Sequence, residues 1–491
     1  MLVRPLPTLL YTAVEARALD NYTIEALQVP ALTLMTRAGE AALGCLQQNW
    51  RSARSIVLVC GAGNNAGDAY VLARLLHQKS YQVAVIEVFP AAKKSDAAQN
   101  CFQVMKGAGV VPTENYACLT QADVVVDAVF GVGLNRNVGG EYAAAIEQIN
   151  QSNKPVLSLD IPSGLNASTG QVMGSAVRAS ATISFMTAKI GLFTGAGPDQ
   201  SGQIFVDDLD TPSVAYQNVT ASAQTLTHKK VRDLLPARIR SGHKGTHGHV
   251  LVLGGAEGYR GALLLAAEAA ARAGAGLVTM LGYASGPELI NVERPELMYR
   301  GIANVHEMRE FTGRAKAVAI GPGLGTDESA IARFAAILET DLPLVVDADA
   351  LRLLAAEPHK RDNWVLTPHP GEAALLMDTT VEDIQSDRLT AAQNIVERYG
   401  GTVILKGVGS IIVTGFGNEV LLHGNPGMGS GGMGDVLTGV IVGLLAQGLS
   451  IEQATRVGAC VHARAGDRAA KSGERGLLAR DLMPHIRSLV N

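Results

Sequence analysis

Short, uninterrupted runs of valine, isoleucine and leucine recur along this sequence, and they constrain its fold more than any other feature. IVLVCG, QVAVIEV and DVVVDAVFG are the first of them. Runs of this length are typical of strands that are covered on both faces of a parallel sheet. Helix-length segments such as GALLLAAEAAARAG and DESAIARFAAILE lie between runs. This alternation predicts βαβ units and an α/β fold.

The runs fall into two series with a polar segment between them. The first series is IVLVCG, QVAVIEV, DVVVDAVFG, PVLSLDIPSG and ATISFM; the second is HVLVLGG, LVTML, AVAIGPG, LVVDADA, WVLTPH, TVILKG, SIIVTG and EVLLHG. The segment from Asp210, DTPSVAYQNVTASAQTLTH, is rich in Ser and Thr and is interpreted as a linker. A chain of 491 residues, 47% of them hydrophobic, is long enough for two domains. We predict α/β domains at 1–218 and 225–491.

The region before the first run is predicted to be helical, over residues 12–46. Thr12 and Glu15 have the spacing of a capping box, and Pro30 is expected to interrupt the helical pattern.

The charge balance and the cysteines exclude several classes of protein. The net charge is −4 and no block of like charges occurs, which argues against a nucleic-acid-binding surface or a membrane-binding basic patch. The most apolar stretch, from Val436, is shorter than the ~20 residues of a membrane helix. No signal peptide is recognised, and five cysteines without a CxxC pair indicate reduced thiols in a cytoplasmic protein.

Three strand ends of the first series carry polar residues beside glycine-rich turns. They are Asn64, Asn65 and Asp68 after the first run, Asp127 within the third run before Gly131 and Gly133, and Asp160 with Ser163 after the fourth. Each could be a structural turn alone. Because the carboxyl ends of parallel strands meet at one edge of a sheet, their coincidence predicts a ligand site.

The second series ends in GNPGMGSGGMGD, followed by an apolar helix. Glycine makes up 54 of the 491 residues, above the usual ~7%, and it is most concentrated here. Such a loop brings backbone N–H groups close to phosphate at a helix N-terminus. Asp435 begins this helix, and a carboxylate beside phosphate is unfavourable unless it has a role such as accepting a hydroxyl proton. The simpler alternative is an N-cap.

NNAGD, DAVFGVG and LDIPSG together resemble the NAD(P)H-hydrate epimerase domain, over about residues 10–215, which has a Rossmann-like three-layer fold. Ala66 stands where that family usually has glycine. The resemblance implies that Asp160 is catalytic and that Asn65, Asp127 and Ser163 bind potassium. It further implies these substrate-binding residues: Asn64, Asn65, Ala66, Gly67, Asp68, Gly131, Val132, Gly133, Leu134, Asn135, Arg136, Asn137 and Asp160. Lys189 is a further catalytic candidate whose role is left open.

SGHKGTHGHVLVLGG, AIGPGLG, VVDADAL, LTPHPGE, LKG and GNPGMGSGGMGD occur in order and resemble the ADP-dependent NAD(P)H-hydrate dehydratase domain, a ribokinase-like fold, over about residues 226–491. The resemblance implies Asp435 as the catalytic base. The implied substrate-binding residues are Ala262, Gly323, His369 and Asp435; those implied for ADP are Lys406, Gly407, Val408, Gly409, Ser410 and Gly434. Asp347 and Asp349 either contact magnesium or cap a turn, and both readings stay open.

The two resemblances imply a bifunctional enzyme that repairs hydrated NADH and NADPH. The first domain would interconvert the R and S forms of NAD(P)HX. The second would dehydrate the S form at the expense of ADP, giving AMP and phosphate. The expected cofactors are potassium in the epimerase domain and magnesium in the dehydratase domain, with ADP as co-substrate. NADHX, NADPHX and ADP are the expected partners, without nucleic acid or membrane, and a homo-oligomer is expected.

Two other functions compete with this one. A ribokinase-type kinase for a vitamin precursor explains GSGGMGD but not NNAGD or LDIPSG. A nucleotide-binding regulator with silent sites explains the motifs without turnover. A simple NAD dehydrogenase is disfavoured because the turn after the first apolar run, GAGNNAG, does not have the G-x-G-x-x-G spacing of the dinucleotide-binding motif. His243, His247 and His249 are explained better by a glycine-rich loop than by a zinc site.

Overall fold

Every apolar run of the two series forms a strand in the computed structural model, which describes residues 8–89, 94–283 and 294–491. The chain divides into two units, Met1–Thr225 and Leu226–Asn491. Both units have the parallel α/β architecture that the alternation of runs predicts.

The first unit contains a six-stranded parallel sheet in the order β3-β2-β4-β5-β6-β8. Its strands are β2 (Ser55–Cys60), β3 (Gln82–Glu87), β4 (Val124–Ala128), β5 (Val156–Leu159), β6 (Ala181–Phe185) and β8 (Gln203–Asp207). The short strands β1 (Leu9–Tyr11), β7 (Ala188–Lys189) and β9 (Ala223–Leu226) pair separately, β1 parallel to β7 and antiparallel to β9. The helices are α1 (Ala13–Glu25), α2 (Ala31–Asn49), α3 (Asn64–Gln78), α4 (Asp96–Gly107), α5 (Gly140–Gln151), α6 (Gly197–Ser201) and α7 (Ser213–Asn218).

Local signals at the start of this unit are confirmed. Thr12 and Glu15 form both hydrogen bonds of the capping box at the start of α1. The helical conformation is interrupted between α1 and α2, and Pro30 is the N-cap of α2. The central strands β2 and β4 are almost wholly buried, because helices cover both faces of the sheet.

The segment from Asp210, interpreted as a linker, contains regular secondary structure. It includes α7 and β9, and the boundary between the two units falls inside it. Ala215 is fully buried, and the Thr225 N–H donates to the Thr8 carbonyl at 2.8 Å. The backbone of β9 pairs with that of β1 although most side chains of the segment are polar. Strands this short show no recognisable periodicity in the sequence.

The second unit contains parallel strands in the order β12-β11-β10-β13-β14-β15-β16, extended by the antiparallel pair β17 and β18. They are β10 (His249–Leu253), β11 (Leu277–Tyr283), β12 (Met298–Ile302), β13 (Ala317–Ile320), β14 (Leu344–Val346), β15 (Trp364–Leu366), β16 (Thr402–Leu405), β17 (Ile411–Thr414) and β18 (Gly417–Leu421). The helices are α8 (His228–Val231), α9 (Arg260–Ala273), α10 (Val305–Thr312), α11 (Glu328–Leu338), α12 (Asp349–Ala356), α13 (Pro370–Met377), α14 (Val381–Ser386), α15 (Arg388–Tyr399), α16 (Met433–Ala446), α17 (Ile451–Ala469) and α18 (Met483–Leu489).

The core of the second unit lies where α16 packs against α9 and α17. Nearly every residue of α16 from Val436 onward is buried, so this apolar helix is a core element. Small residues allow the helices to approach closely, because Gly439 faces the backbone of Ala266 and Gly443 faces that of Ala270. None of the helices in the described ranges is long and apolar enough to cross a membrane.

This close packing gives a stability prediction. Glycine to alanine inside a helix normally stabilises by up to ~1 kcal/mol. A methyl group at Gly439 would instead overlap the Ala266 carbonyl oxygen. We expect Gly439→Ala to destabilise the second unit by about 1–3 kcal/mol, the usual cost of overpacking, measured by urea unfolding.

Gly261→Ala is the matched control, because Gly261 lies in α9 and a methyl group there meets no atom within 4 Å. It should not destabilise the fold. Equal stability losses in both variants would show that helix propensity, and not the contact with Ala266, sets the cost.

Candidate functional site

Each unit has a group of polar and charged side chains at the carboxyl ends of its parallel strands. In the first unit, the ends of β2, β4 and β5 and the turns that follow them surround a cavity of about 670 Å³. This is the edge at which open α/β sheets bind ligands.

Asp160 and Lys189 form the polar centre of this cavity. Asp160 follows β5 directly and has a φ of +64°, a left-handed conformation that aspartate tolerates better than most residues. Its Oδ1 accepts a hydrogen bond from Lys189 Nζ at 2.5 Å. Lys189 is only 2% exposed, and its ammonium also donates to Ser184 Oγ at 3.0 Å and to the Phe185 carbonyl at 2.8 Å. The sequence left the role of Lys189 open; the structure makes it the direct partner of Asp160.

The loop after β4 covers Asp160. The Val132 N–H donates to Asp160 Oδ2 at 3.4 Å, and a side chain at Gly131 would begin 3.2 Å from the same oxygen. Glycine therefore keeps the space above the carboxylate open. Of the predicted substrate-binding residues, these line the cavity: Asn64, Asn65, Asp68, Gly131, Val132, Gly133, Leu134, Asn135, Arg136 and Asp160.

Three predicted substrate-binding residues do not line it. Ala66 is fully buried in α3, a helical position where φ is negative and a methyl group fits. A side chain at Gly67 would overlap Met35, so Gly67 is required for packing between helices. Asn137 is exposed on the surface, beyond the part of the loop that faces the cavity.

Of the three residues predicted to bind potassium, Asn65 lines the cavity, whereas Asp127 and Ser163 do not. Asp127 is fully buried, and its oxygens accept hydrogen bonds from Ser158 Oγ at 2.7 Å, from Ser163 Oγ at 2.5 Å and from the backbone N–H groups of Ser163 and Val129. Burial raises the pKa of Asp127, and the hydrogen bonds from Ser163 and Ser158 act in the opposite direction.

Asn65 supplies the feature of this group that indicates a cation. Its Nδ2 donates to the carbonyls of Phe130 at 2.9 Å and Leu159 at 3.0 Å. Its Oδ1 is buried and has no hydrogen-bond partner among the described residues. Because a buried oxygen without a partner is costly, this atom fits a hard cation.

In the second unit, the site centres on Lys406, which follows β16. Its Nζ lies 2.9 Å from Asp347 Oδ1 and 3.7 Å from Glu372 Oε2. The second oxygen of Asp347 accepts from Thr438 Oγ1 at 2.8 Å. Burial acts to lower the pKa of Lys406, but Asp347 and Glu372 outweigh it and hold that pKa above its ordinary value.

Asp435 lies in the first turn of α16, beneath the glycine loop. Gly432, the N-cap residue, has a φ of +88° and offers no side chain, so no side chain caps the helix. A side chain at Gly434 would begin 3.2 Å from Lys406 Nζ. Burial raises the pKa of Asp435 to about 7, with Asp347 adding to the shift and Lys406 opposing it. The arrangement combines a free helix N-terminus with a carboxyl group that can accept or release a proton near neutral pH.

His369 adjoins this centre through Glu372. His369 is the N-cap of α13, and its backbone N–H donates to Glu372 Oε2 at 2.7 Å, the spacing of a capping box. The Lys406 N–H also donates to the Pro368 carbonyl at 2.9 Å. His369, Glu372 and Lys406 are thus held together. Sequence analysis overlooked Glu372, although its position three residues after the helix start was a readable signal.

Ala262 and Gly323 are brought together by Tyr259. The Ala262 N–H donates to the Tyr259 carbonyl at 3.2 Å, and a side chain at Gly323 would begin 2.5 Å from Tyr259 Cβ. Gly323 has a φ of +59°, which favours glycine at this turn. Tyr259 itself is 66% exposed and was not predicted as a site residue.

The loop over residues 406–410 contains two glycines with positive φ, Gly407 and Gly409. Gly407 has a φ of +142°, and a side chain there would begin 2.8 Å from the Arg388 guanidinium. Ser410 Oγ donates to the Gly407 carbonyl at 2.9 Å, and Val408 is 54% exposed. Arg388, which sequence analysis overlooked, is buried behind the loop and donates to the carbonyls of Leu405 and Lys406.

The raised pKa of Asp435 gives a stability prediction. A carboxyl group whose pKa is higher in the folded protein contributes stability that is present below its unfolded pKa, near 3.8, and lost as pH rises through about 7. We expect Asp435→Asn, which mimics the neutral acid, to become more stable relative to the original chain between about pH 5 and about pH 8. Urea unfolding at both values measures this difference.

Asp383→Asn is the control with the opposite sign. Hydrogen bonds from Thr380 and Thr379 lower the pKa of Asp383, so Asp383 is ionised throughout this range, and it does not contribute to the shift of Asp435. That variant should differ in stability from the original chain by the same margin at both pH values. A constant difference for Asp435→Asn as well would contradict the raised pKa.

Comparison with known proteins gives two family matches that divide the chain as the two units do. Residues 31–191 match the YjeF-related protein N-terminus, and residues 250–488 match NAD(P)H-hydrate dehydratase. Among solved structures, a Streptococcus mutans protein covers 54% of this chain and 100% of its own, at 25% identity and a TM-score of 0.51. A ribokinase-like superfamily protein from Enterococcus faecalis covers 54% of this chain and 94% of its own, at 27% identity and a TM-score of 0.50. The ribokinase-like fold of the second unit is therefore confirmed.

Relatives match over the full length. The bifunctional NAD(P)H-hydrate repair enzyme of Coxiella burnetii is 42% identical over 99% of this chain and 100% of its own. The enzymes of that name from Vibrio cholerae and Escherichia coli are 38% and 37% identical, over 100% and 99% of this chain and 99% and 95% of their own. This chain belongs to the family of bifunctional NAD(P)H-hydrate repair enzymes.

Proposed function

We propose that the first unit interconverts the R and S forms of NAD(P)HX, and that the second dehydrates the S form to NAD(P)H at the expense of ADP, giving AMP and phosphate. The observation that carries the proposal is Asp435, a carboxyl group with a pKa of about 7 at the open N-terminus of α16. That is the position of a proton acceptor beside bound phosphate.

Dehydration is difficult because hydroxide is a poor leaving group. Asp435 removes the proton of the substrate hydroxyl, and the oxygen takes the terminal phosphoryl group of ADP, so that AMP leaves. Phosphate then departs with the electrons of its carbon–oxygen bond, and loss of a proton from the neighbouring carbon restores the double bond. The N–H groups of the glycine loop and the start of α16 stabilise the charge on the phosphoryl oxygens.

Lys406 and Asp347 set the electrostatics of this step. Lys406 lies close to Gly434 and is the cation that opposes the raised pKa of Asp435. Asp347 fixes Lys406 in turn, through the 2.9 Å contact between Nζ and Oδ1. The loop 406–410, on the same strand end, would contact ADP, and Arg388 holds its backbone in place.

Magnesium, which would neutralise phosphate charge when bound, is supported at Asp349 but not at Asp347. Both oxygens of Asp347 are already engaged, by Lys406 and Thr438. Asp349 uses one oxygen to accept from the Gly325 N–H at 2.9 Å. No group of three potential acidic, histidine or cysteine ligands occurs within the described ranges. Magnesium bound through one carboxylate and substrate phosphates would fit these residues.

In the first unit, Asp160 is the proposed acid–base residue, because it faces the open cavity and Lys189 holds its orientation. Potassium, with Asn65, Asp127 and Ser163 as ligands, would fix the floor of the cavity on which Asp160 and the loop 131–136 rest. Homo-oligomerisation and a cytoplasmic location remain predictions from the sequence.

The two sites predict separable losses. Asp435→Asn should lower the rate of dehydration by a factor of ~10² or more, the scale of a lost general base, and leave epimerisation intact. Asp160→Asn should do the reverse. Recovery of reduced-nicotinamide absorbance with ADP measures dehydration of the S form; exchange between separated epimers without ADP measures epimerisation.

Each variant is the control for the other. If either substitution removed both activities while both units stayed folded, the assignment of one activity to each unit would fail. If the unmodified chain showed no recovery with ADP or ATP, the proposed function itself would be wrong.

Potassium binding can be tested without an activity measurement. A ligand that binds only the folded state stabilises it. We expect potassium chloride to raise the unfolding temperature of the first unit above that in lithium chloride of equal ionic strength. Ser163→Ala should reduce this difference, whereas Ser213→Ala, an exposed position in α7, should leave it unchanged. Equal unfolding temperatures in both salts for the unmodified chain would exclude the potassium site.

A further inference from the structure

Asp20 lies in the cavity of the first unit, although no motif includes it. It is a half-buried residue of α1, and it lines the same space as Asp160 and Lys189. Its carboxylate makes no hydrogen bond or ion pair with any residue in the described ranges. Because a partly buried carboxylate without a partner is costly, its presence in a ligand cavity indicates a functional role.

Lys189 has no N–H group left to donate to Asp20, because its hydrogen bonds go to Asp160 and two other acceptors. An ammonium group has three protons to donate. Those of Lys189 go to Asp160 Oδ1 at 2.5 Å, Ser184 Oγ at 3.0 Å and the Phe185 carbonyl at 2.8 Å. Its hydrogen-bonding capacity is therefore used within its own surroundings, and Asp20 faces the cavity without a donor.

The other titratable groups around the cavity leave a surplus of acids at its centre. The groups that line it are Arg17 on the same helix as Asp20, Asp68 in α3, Arg136 in the loop after β4, Tyr142 in α5, Asp160 after β5 and Lys189 in β7. Arg17 and Arg136 are exposed, so they lie toward solvent. Burial raises the pKa of Asp20 to about 6; Lys189 opposes that shift and Asp160 adds to it.

The proposed reaction needs a second proton-transfer group. In NAD(P)HX the carbon that carries the added hydroxyl is also bonded to the ring nitrogen, so the ring can open and close at that bond. On opening, a base takes the hydroxyl proton, the O–H electrons form a carbonyl, and the C–N electrons pass to nitrogen, which takes a proton from an acid. Rotation of the aldehyde and the reverse steps give the other epimer. No oxidant or reductant is required.

On the basis of the proposed epimerase function, we propose that Asp20 is this second catalytic residue: it exchanges a proton with the ring nitrogen while Asp160 exchanges one with the hydroxyl. The two carboxyl groups come from different elements, α1 and the end of β5, and both face the cavity. A substrate ring between them would meet one group at each reacting atom.

Asp68 lines the same cavity and is the alternative acid. Burial, followed by Asp160 and Asp20, raises its pKa well above the ordinary value. Asp68→Asn therefore belongs in the test, because it separates the role of Asp68 from that of Asp20.

The test is Asp20→Asn in the full chain, with Glu25→Gln as the matched control. Glu25 is an exposed carboxylate on the same helix, and it does not line the cavity. Exchange between separated NADHX epimers is followed without ADP, so that dehydration does not occur. We expect Asp20→Asn to lower kcat about 10²-fold or more and Glu25→Gln to leave it unchanged. Asp20→Glu, which can still transfer a proton, should recover part of the rate.

The pH profile separates proton transfer from a structural role. In the original chain, kcat/KM should fall as pH rises above about 6, because ring opening needs the protonated form of Asp20. Asp20→Asn should lack this limb and should dehydrate the S form with ADP at the original rate. The proposal would be overturned if Asp20→Asn exchanged epimers at the original rate, or if it were slow but kcat/KM still fell above about pH 6. It would also be overturned if Asp68→Asn, and not Asp20→Asn, lost this fall of kcat/KM. If the original chain itself does not exchange epimers, the proposed epimerase function fails.

Discussion

In each unit, one lysine–aspartate pair at the carboxyl ends of parallel strands holds the charged side chains of the site in place. Lys189 binds Asp160 in the first unit, and Lys406 binds Asp347 in the second. The aspartate of each pair directly follows a buried strand, and the lysine lies on another strand or at its end. Since a buried charge without a partner is very costly, these pairs are what allows charged groups to gather at the edge of an apolar sheet.

The same pairs leave other carboxyl groups of each site without a neutralising cation, and the proposed function depends on this surplus of acids. In the second unit Lys406 forms its ion pair with Asp347, and the buried Asp435 has a pKa of about 7. In the first unit Lys189 forms its ion pair with Asp160, and burial raises the pKa of Asp20 to about 6. In both sites the pKa of a carboxyl group is thus raised toward neutral pH by the same means, burial beside more carboxylates than cations.

Much of the architecture was predictable because most strands are apolar runs that helices separate along the chain. The strands that sequence analysis did not identify are those with little apolar signal: β1 and β7 are very short, β9 is polar, and β8 and β12 contain charged or polar residues. The sequence showed that the glycine motifs form turns, but it did not show which of the glycines face a ligand. Gly131 leaves space beside Asp160, whereas Gly67 makes room for Met35.

The sequence by itself determined the two α/β units, the edge of each sheet at which a site forms, and the motifs that place Asp160 and Asp435 there. These follow from local pattern, since strand runs and glycine turns act over a few residues. Only the tertiary structure decided which charges meet: Lys406 with Asp347, Lys189 with Asp160, and Asp20 in the same cavity as Asp160, 140 positions later in the chain. Such pairings depend on distances between separate elements, and no local pattern records them.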